Sequence, residues 1–331
     1  MKYFNLHANC IPVLGAKNAI ICDVFRERYV QVPLEVAALF KKDHAISLLQ
    51  EDADILELAR VLEQDDWGHY TDNPELFPPI SLTYDYAGKI SNCIIDIQDE
   101  LAYPIKSLVA QLNELGCSGV QIRFFSVVDV SYINDIVNSF TDSDIRFIEL
   151  ALQYDAIQYK KDRLTDKLFH HYRLKNVYFF SSPFDDVVVF NKEASRHVVK
   201  AIYSTASFGS ENDCGNISEH NFNVNLQHFT EAHNFNSCLN CKLSVDKYGD
   251  IGNCPSMKQR FGNINTVDLK DALSEPSFWV YPKIKKDEVS VCKDCEYRYI
   301  CVDCRAFIQN GYDPYSKPAK CRYNPYEGEW E

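Results

Sequence analysis

The sequence predicts an α/β protein built on a partial β/α barrel, with a small mixed domain before it and a cysteine-rich lobe after it. Three observations carry that expectation. Across the middle of the chain, apolar runs that read as strands alternate with helical periodicity, a pattern that implies parallel strands joined by right-handed crossovers. The first stretch of the chain has its own strand-then-helix pattern. The C-terminal stretch holds eight of the 13 cysteines, at short and regular spacings.

Residues 1–75 read as a separate domain. Phe4, Leu6, Ala8 and Cys10 alternate, a turn follows around Gly15 to Asn18, and a second extended stretch runs from Ala19 to Val32. Pro33 is placed to open a helix whose buried side carries Leu34, Ala37, Ala38 and Leu39. A further helix uses Ile55, Leu56, Leu58, Val61 and Leu62. Glu51 to Glu75 contains nine carboxylates against one arginine, which reads as a solvated face. Strands followed by helices over this length are similar to the winged-helix element with which ribosomal-peptide modifying systems grip a leader peptide as an added strand. A structural cap on the next domain is the alternative.

Residues 76–230 carry the β/α units, with strand candidates at Ile90 to Ile97, Val120 to Phe125, Ile145 to Leu152 and Val177 to Ser182. The clearest helix follows Pro104, places Ile105, Leu108, Val109, Leu112 and Leu115 on one side, and ends at Gly116. Asp96 and Asp99 are read as helix N-terminal charge before Pro104, and His170-His171 as a solvated last turn of a helical pattern. Cys10, Cys22, Cys93, Cys117 and Cys214 are read as small buried hydrophobes. A phosphate loop, a G-x-G-x-x-G turn after a strand and an H-E-x-x-H helix are all absent. The net charge of −13 argues against a nucleic-acid partner. No apolar run approaches membrane-spanning length, which argues against a membrane partner. The N-terminus lacks a basic stretch leading into an apolar run, and an odd number of thiols fits a reducing, cytoplasmic setting.

Residues 231–331 form the expected metal lobe. The order is Cys238-x2-Cys241-x12-Cys254, a gap, Cys292-x2-Cys295-x5-Cys301-x2-Cys304, and Cys321. A cubane 4Fe-4S cluster leaves each iron one position for a protein thiolate, so eight cysteines divide into two sets of four. C-x2-C is the short turn that lets two sulfurs reach one metal centre. The same count equally suits two four-cysteine zinc sites. Leu243, Val245, the turn at Tyr248-Gly249-Asp250 and Ile251 read as a hairpin whose second arm delivers Cys254, and Thr266 to Leu273 reads as a short helix.

The cysteine order, with Gly249 separated from Cys254 by four residues, resembles a SPASM domain, the auxiliary cluster module of radical SAM peptide-modifying enzymes. The resemblance implies that Cys238, Cys241, Cys254 and Cys304 hold one 4Fe-4S cluster and that Cys292, Cys295, Cys301 and Cys321 hold the other. The chain departs from the common pattern at Cys301-x2-Cys304, where x3 is usual. It also lacks the C-x3-C-x2-C triplet that binds the reactive cluster of radical SAM enzymes. Its second strand candidate ends in Arg123-Phe124-Phe125-Ser126 in place of a glycine-rich turn, so the barrel is read as degenerate and SAM is not expected.

The combination is similar to the SPASM-domain peptide maturases of grasp-with-spasm systems. The likeness rests on Ile90-Ser91-Asn92-Cys93-Ile94-Ile95-Asp96, Asn253-Cys254-Pro255-Ser256-Met257, Phe261-Gly262-Asn263-Ile264 and Cys301-Val302-Asp303-Cys304-Arg305-Ala306-Phe307. It implies an iron-sulfur protein that holds a precursor peptide for an ATP-grasp peptide ligase, accessory or non-radical in its chemistry. The alternatives are a redox or radical enzyme whose third cluster uses Cys93 or Cys117, and a zinc-stapled interaction protein.

Overall fold

The computed structural model describes the chain except for residues 42, 51, 161–163, 165–166 and 192–196. The chain divides into two units, one of Met1–Asp85, Gly215–Asn240 and Pro282–Glu331, the other of Tyr86–Cys214 and Cys241–Tyr281. The cysteine-rich stretch is therefore shared between them.

The first unit opens with β1 (Tyr3–Leu6), β2 (Cys10–Leu14), β3 (Asn18–Asp23), β4 (Arg28–Pro33), α1 (Leu34–Lys41), β5 (Ala45–Ser47), α2 (Ala53–Gln64) and β6 (Gly68–Thr71). β2, β3 and β4 form an antiparallel meander, and β1 is the centre of a second antiparallel sheet between β5 and β6. The extended stretch from Ala19 to Val32 is broken by a turn in which Glu27 takes a φ of 55°. Pro33 ends β4, and the helix starts at the next residue. α1 buries Ala37 and Phe40 while Leu39 faces outward, and α2 buries Ala59 and Leu62 while Leu56 and Val61 are exposed. Each helix thus presents a single stripe to a core that includes Phe4, Leu6, Ile21, Ile46 and Trp67. Of the acidic stretch, Asp52 caps α2, Glu57 pairs with Arg60, and Glu51 lies outside the described residues.

The second unit contains β7 (Asn92–Ile97), α3 (Ile105–Glu114), β8 (Gly119–Phe124), α4 (Val130–Asn138), β9 (Phe147–Gln153), β10 (Leu174–Phe180), β11 (Asp186–Asn191), β12 (Val198–Tyr203), β13 (Lys242–Val245) and β14 (Ile251–Gly252). They make one eight-stranded sheet in the order β11-β12-β10-β9-β8-β7-β13-β14. Its six inner strands run parallel, while β11 and β14 are antiparallel edges. The fold is thus mixed α/β around a mostly parallel sheet. α3 follows Pro104, buries Leu108, Val109 and Leu112, and stops before Gly116. That glycine has a φ of 74°, and a Cβ on it would stand 2.9 Å from the Gly88 Cα. The hairpin expected before Cys254 is β13–β14, with Gly249 at φ 87° in its turn. Its first strand pairs with β7, so it extends the large sheet. A short helix, Leu269–Ala272, follows. Among the described residues no helix is long and apolar enough to cross a membrane.

Asp96 does not supply helix N-terminal charge. It lies inside β7 as the direct cross-strand partner of Arg123 on β8, and the two make bonds of 2.6 and 2.7 Å. Both are almost fully buried, at 2% and 3% exposure. The Phe125 and Phe208 rings lie 5.5 and 5.6 Å from the guanidinium carbon. The pair thus closes the C-terminal edge of the sheet, where open α/β folds receive ligands. Asp99 stays outside it, beside Glu100 and Asp129 in a surface recess. Removing one partner leaves a buried charge uncompensated. Arg123→Met is expected to lower the stability of the second unit by roughly 3–5 kcal/mol. The double change Asp96→Leu with Arg123→Met is expected to cost less than the single one, as read by urea unfolding.

Candidate functional site

Four of the motif cysteines, Cys292, Cys295, Cys301 and Cys321, lie wholly within the first unit. The chain around them has little regular structure and is shaped by tight turns. A 3-10 turn spans Cys292–Asp294, and the Cys295 amide donates to the Cys292 carbonyl at 3.0 Å, which brings the C-x2-C pair onto one turn. Val291, immediately before it, has a φ of 67°, a strained value for a β-branched residue. The Cys301 amide donates to Tyr297, and the Cys321 amide to Pro318. Tyr297, Tyr323 and Trp330 pack in series at about 5.1 Å between ring centres, and Cys295, Cys301 and Cys321 pack into the same core.

Lys286 sits among these thiols with 4% of its surface exposed. Its Nζ donates to the carbonyls of Cys301 at 3.0 Å and Val302 at 3.1 Å. Burial pushes the Cys292 thiol up to about 12, with Lys286 pulling against that rise and Asp303, Cys301 and Cys321 adding to it. Burial likewise raises Cys301 against the pull of Lys286, and raises Cys295 well above the usual thiol range. The four sulfurs thus act on one another electrostatically. Without metal Cys292, Cys295 and Cys301 are held as thiols, and metal binding must release their protons. Among the described residues no three such side chains are drawn up around a common metal position.

Cys238 and Cys304 also belong to the first unit. Asn236, fully buried, ties their loops together: its Oδ1 accepts from the Cys238 and Leu239 amides at 3.0 Å, and its Nδ2 donates to Asp303 at 2.9 Å. Asp303 in turn pairs with Arg305 at 2.7 Å. Gly215 lies against Cys304. It has a φ of 81°, and a Cβ there would stand 2.8 Å from the Cys304 sulfur. Cys241 and Cys254 belong to the second unit. The Cys241 carbonyl accepts from the amide and hydroxyl of Ser91 at 2.6 and 3.0 Å, and Cys254 follows β14. Within the first unit, the all-thiol donor set of Cys292, Cys295, Cys301 and Cys321 fits by its chemistry either an iron-sulfur cluster or zinc.

Of the cysteines read as hydrophobes, Cys10, Cys22, Cys93 and Cys117 are buried, and Cys214 is only half-buried. Cys93 lies near the start of β7, far along the strand from the edge where ligands bind, and burial raises its thiol well above the ordinary value. Cys214 and Cys254 lie within electrostatic reach of Arg123. The helical pattern before His170 lies partly outside the described residues. His171 is not a solvated residue: it is half-buried and bonds Asn134 at 2.9 Å.

Sequence reasoning missed Lys286, Asn236, Asp303 and Gly215. Asp303 and Asn236 flank the motif cysteines, and a polar residue beside a C-x2-C loop was the available signal. Lys286 stands in a run with Lys283 and Lys285, which hides it.

Two outcomes follow. Gly215→Ala is expected to displace the Cys304 sulfur and lower the metal retained per chain, as read by elemental analysis, while Gly209→Ala, which meets only the tip of Asp213, leaves it unchanged. Burial, then His170 and His197, hold His171 down at about 4, below its ordinary 6.5. The unfolded chain therefore binds the proton first. Stability is expected to fall as pH drops from about 6.5 towards about 4, and His171→Gln is expected to flatten that fall in thermal unfolding.

No family model and no curated protein matches the chain. Two solved structures align with it. Streptococcus suis SuiB bound to S-adenosylmethionine aligns over 96% of this chain and 100% of its own, at TM-score 0.42 and 11% identity. SuiB bound to the precursor peptide SuiA aligns over 92% and 96%, at TM-score 0.40 and 11% identity. The sequence-based expectation against SAM gains no support from this likeness.

Proposed function

We propose that this chain is an iron-sulfur protein that takes part in maturing a ribosomally made peptide, holding the precursor for an ATP-grasp peptide ligase. The observation that carries the reading is that Cys292, Cys295, Cys301 and Cys321 lie in one turn-rich part of a single unit, Cys292 and Cys301 buried and Cys295 and Cys321 half-buried. Loops with so little regular structure gain order from a metal centre, and a cluster there supplies both that cross-link and an electron-accepting group. The eight motif cysteines are assigned to two 4Fe-4S clusters, as the resemblance of their order to a SPASM domain implies.

The peptide-holding part rests on the N-terminal segment of the first unit. Its small antiparallel sheets and two helices are compatible with a winged-helix-like element. β5 stands at the edge of its sheet, where an extended peptide can add as a further strand. Beside it runs a groove of about 750 Å³ lined by Ile11, Pro12, Phe40, Ala45, Pro79 and Ile80. A leader peptide with alternate apolar side chains fits such a groove.

The test combines metal analysis with the ligase reaction. Protein purified without oxygen is expected to carry about eight irons with matching sulfide. About two zincs and a colourless solution would replace the cluster reading with a zinc-stapled interaction protein, and about twelve irons would favour a redox or radical enzyme. The ligase is expected to modify the precursor poorly without this chain. Equal modification in its absence would sink the holding role.

A further inference from the structure

We propose that Lys286 is the built-in countercharge of the Cys292, Cys295, Cys301 and Cys321 centre, raising the reduction potential of the cluster bound there. The inference rests on the iron-sulfur reading above.

A lysine ammonium is almost never fully buried unless it is paired. Lys286 is buried, yet among the described residues no carboxylate lies within ion-pairing distance of it; its nitrogen donates to the Cys301 and Val302 carbonyls. The carbonyls solvate the ammonium without neutralising it, and the Cys301 side chain is a further hydrogen-bond partner. The nearest charged or ionisable groups that act on it are Cys301, Cys292 and, through space, Asp303, whose own carboxylate is engaged by Arg305 and Asn236. The positive charge is therefore left facing the thiols, and becomes balanced once they are thiolates on a metal centre.

The position is fixed from both sides. Lys286 opens the 3-10 turn Lys286–Glu288. The next residue, Asp287, accepts from Arg298 at 3.3 Å and from the Tyr299 hydroxyl at 2.7 Å, while Arg298 also donates to the Cys295 carbonyl at 2.8 Å. One network thus holds the turn to the loop between Cys295 and Cys301. A cluster ligated by four thiolates is anionic, and gains a further negative charge on reduction. A fixed ammonium in a medium of low dielectric favours the reduced form, since net charge near the cluster is one of the levers on its potential.

Lys286 is a positioning residue that acts through the ligand loop, bonding the Cys301 and Val302 carbonyls and the Cys301 side chain. The experiment is an anaerobic redox titration of the full-length chain, followed by electron paramagnetic resonance, for wild type, Lys286→Met and Lys286→Arg. With Lys286→Met, the reduced fraction of one cluster at fixed potential is expected to fall about tenfold, a shift of about 59 mV to more negative potential for a one-electron couple. The other cluster stays unchanged, and Lys286→Arg restores the wild-type value. If Lys286→Met loses its cluster and Lys286→Arg keeps it, the charge is again supported. A folded, loaded Lys286→Met with unshifted potential overturns the proposal. So does a shift shared by Lys286→Arg, or loss of the cluster in both variants, because a role carried by charge must be rescued by arginine. Absence of iron and sulfide from wild type would instead refute the iron-sulfur reading itself, so the two failures are told apart.

Discussion

The pairing of β13 with β7 decides how the C-terminal third of this chain is used. Lys242 to Val245 run parallel to Asn92 to Ile95, and the Cys241 carbonyl is anchored by Ser91 just before the ladder begins. β12 and β13 run parallel with four strands between them, so the chain must travel a long way from one to the other. Much of that connection, from Gly215 to Asn240, belongs to the first unit. Leu243, Val245 and Ile251 are buried in the same core as Ile95 and Ile122, which makes the pairing costly to undo. Cys241 and Cys254 are consequently carried by the large sheet, while Cys292 to Cys321 are carried by turns that pack against aromatic residues.

A second constraint is the handling of buried charge. Asp96 and Arg123 neutralise each other through a planar two-bond contact, the geometry that best offsets the cost of desolvating both. Asp303 and Arg305 form a second buried ion pair, through a single contact of 2.7 Å, with Arg305 also donating to the carbonyls of Pro314 and Ser316. In the N-terminal segment the fully buried carboxylate of Asp23 is met by Arg26, Arg28 and Asn9. Lys286 is handled differently: its nitrogen bonds the Cys301 and Val302 carbonyls and the Cys301 side chain, and among the described residues no carboxylate lies within ion-pairing distance of it. The contrast matters because three balanced groups show that the fold has ready means of pairing a buried charge. An ammonium left without a carboxylate beside Cys292 and Cys301 is compatible with the proposal that those cysteines become thiolates on a metal centre.

The parallel strands, α3 and its glycine stop were legible because each rests on local rules: apolar runs, proline before the first turn, and positive φ at Gly116. The same rules found the β13–β14 hairpin through Gly249. They did not reveal that β13 joins β7, because a short apolar run carries no address for its partner. Asp96 was misread for a related reason. Placed at the end of a strand it resembles loop charge, and only the register that sets it opposite Arg123 shows why it is buried. Leu39, Leu56 and Val61 were assigned to the core because they are apolar, but the buried stripes of short helices pass through Ala37, Phe40, Ala59 and Leu62. The cysteine set was visible from spacing alone, whereas the polar residues that shape its loops come from distant sequence and carry no periodic signal.

The shortened loop between Cys301 and Cys304 shows how such a loop can be braced. Two residues, Val302 and Asp303, separate the cysteines where the resembling pattern has three. A shorter connection leaves less freedom to aim the second sulfur, so its geometry has to be set by neighbours. Lys286 grips the loop through the Cys301 and Val302 carbonyls, and Asp303 is held by Arg305 on one side and Asn236 on the other. Gly215 then packs its backbone directly against the Cys304 sulfur, which blocks movement in that direction. Every residue of the short loop is therefore held by a hydrogen bond, an ion pair or a steric stop, and each partner comes from outside it. The direction of Cys304 is set by these surroundings more than by its own spacing.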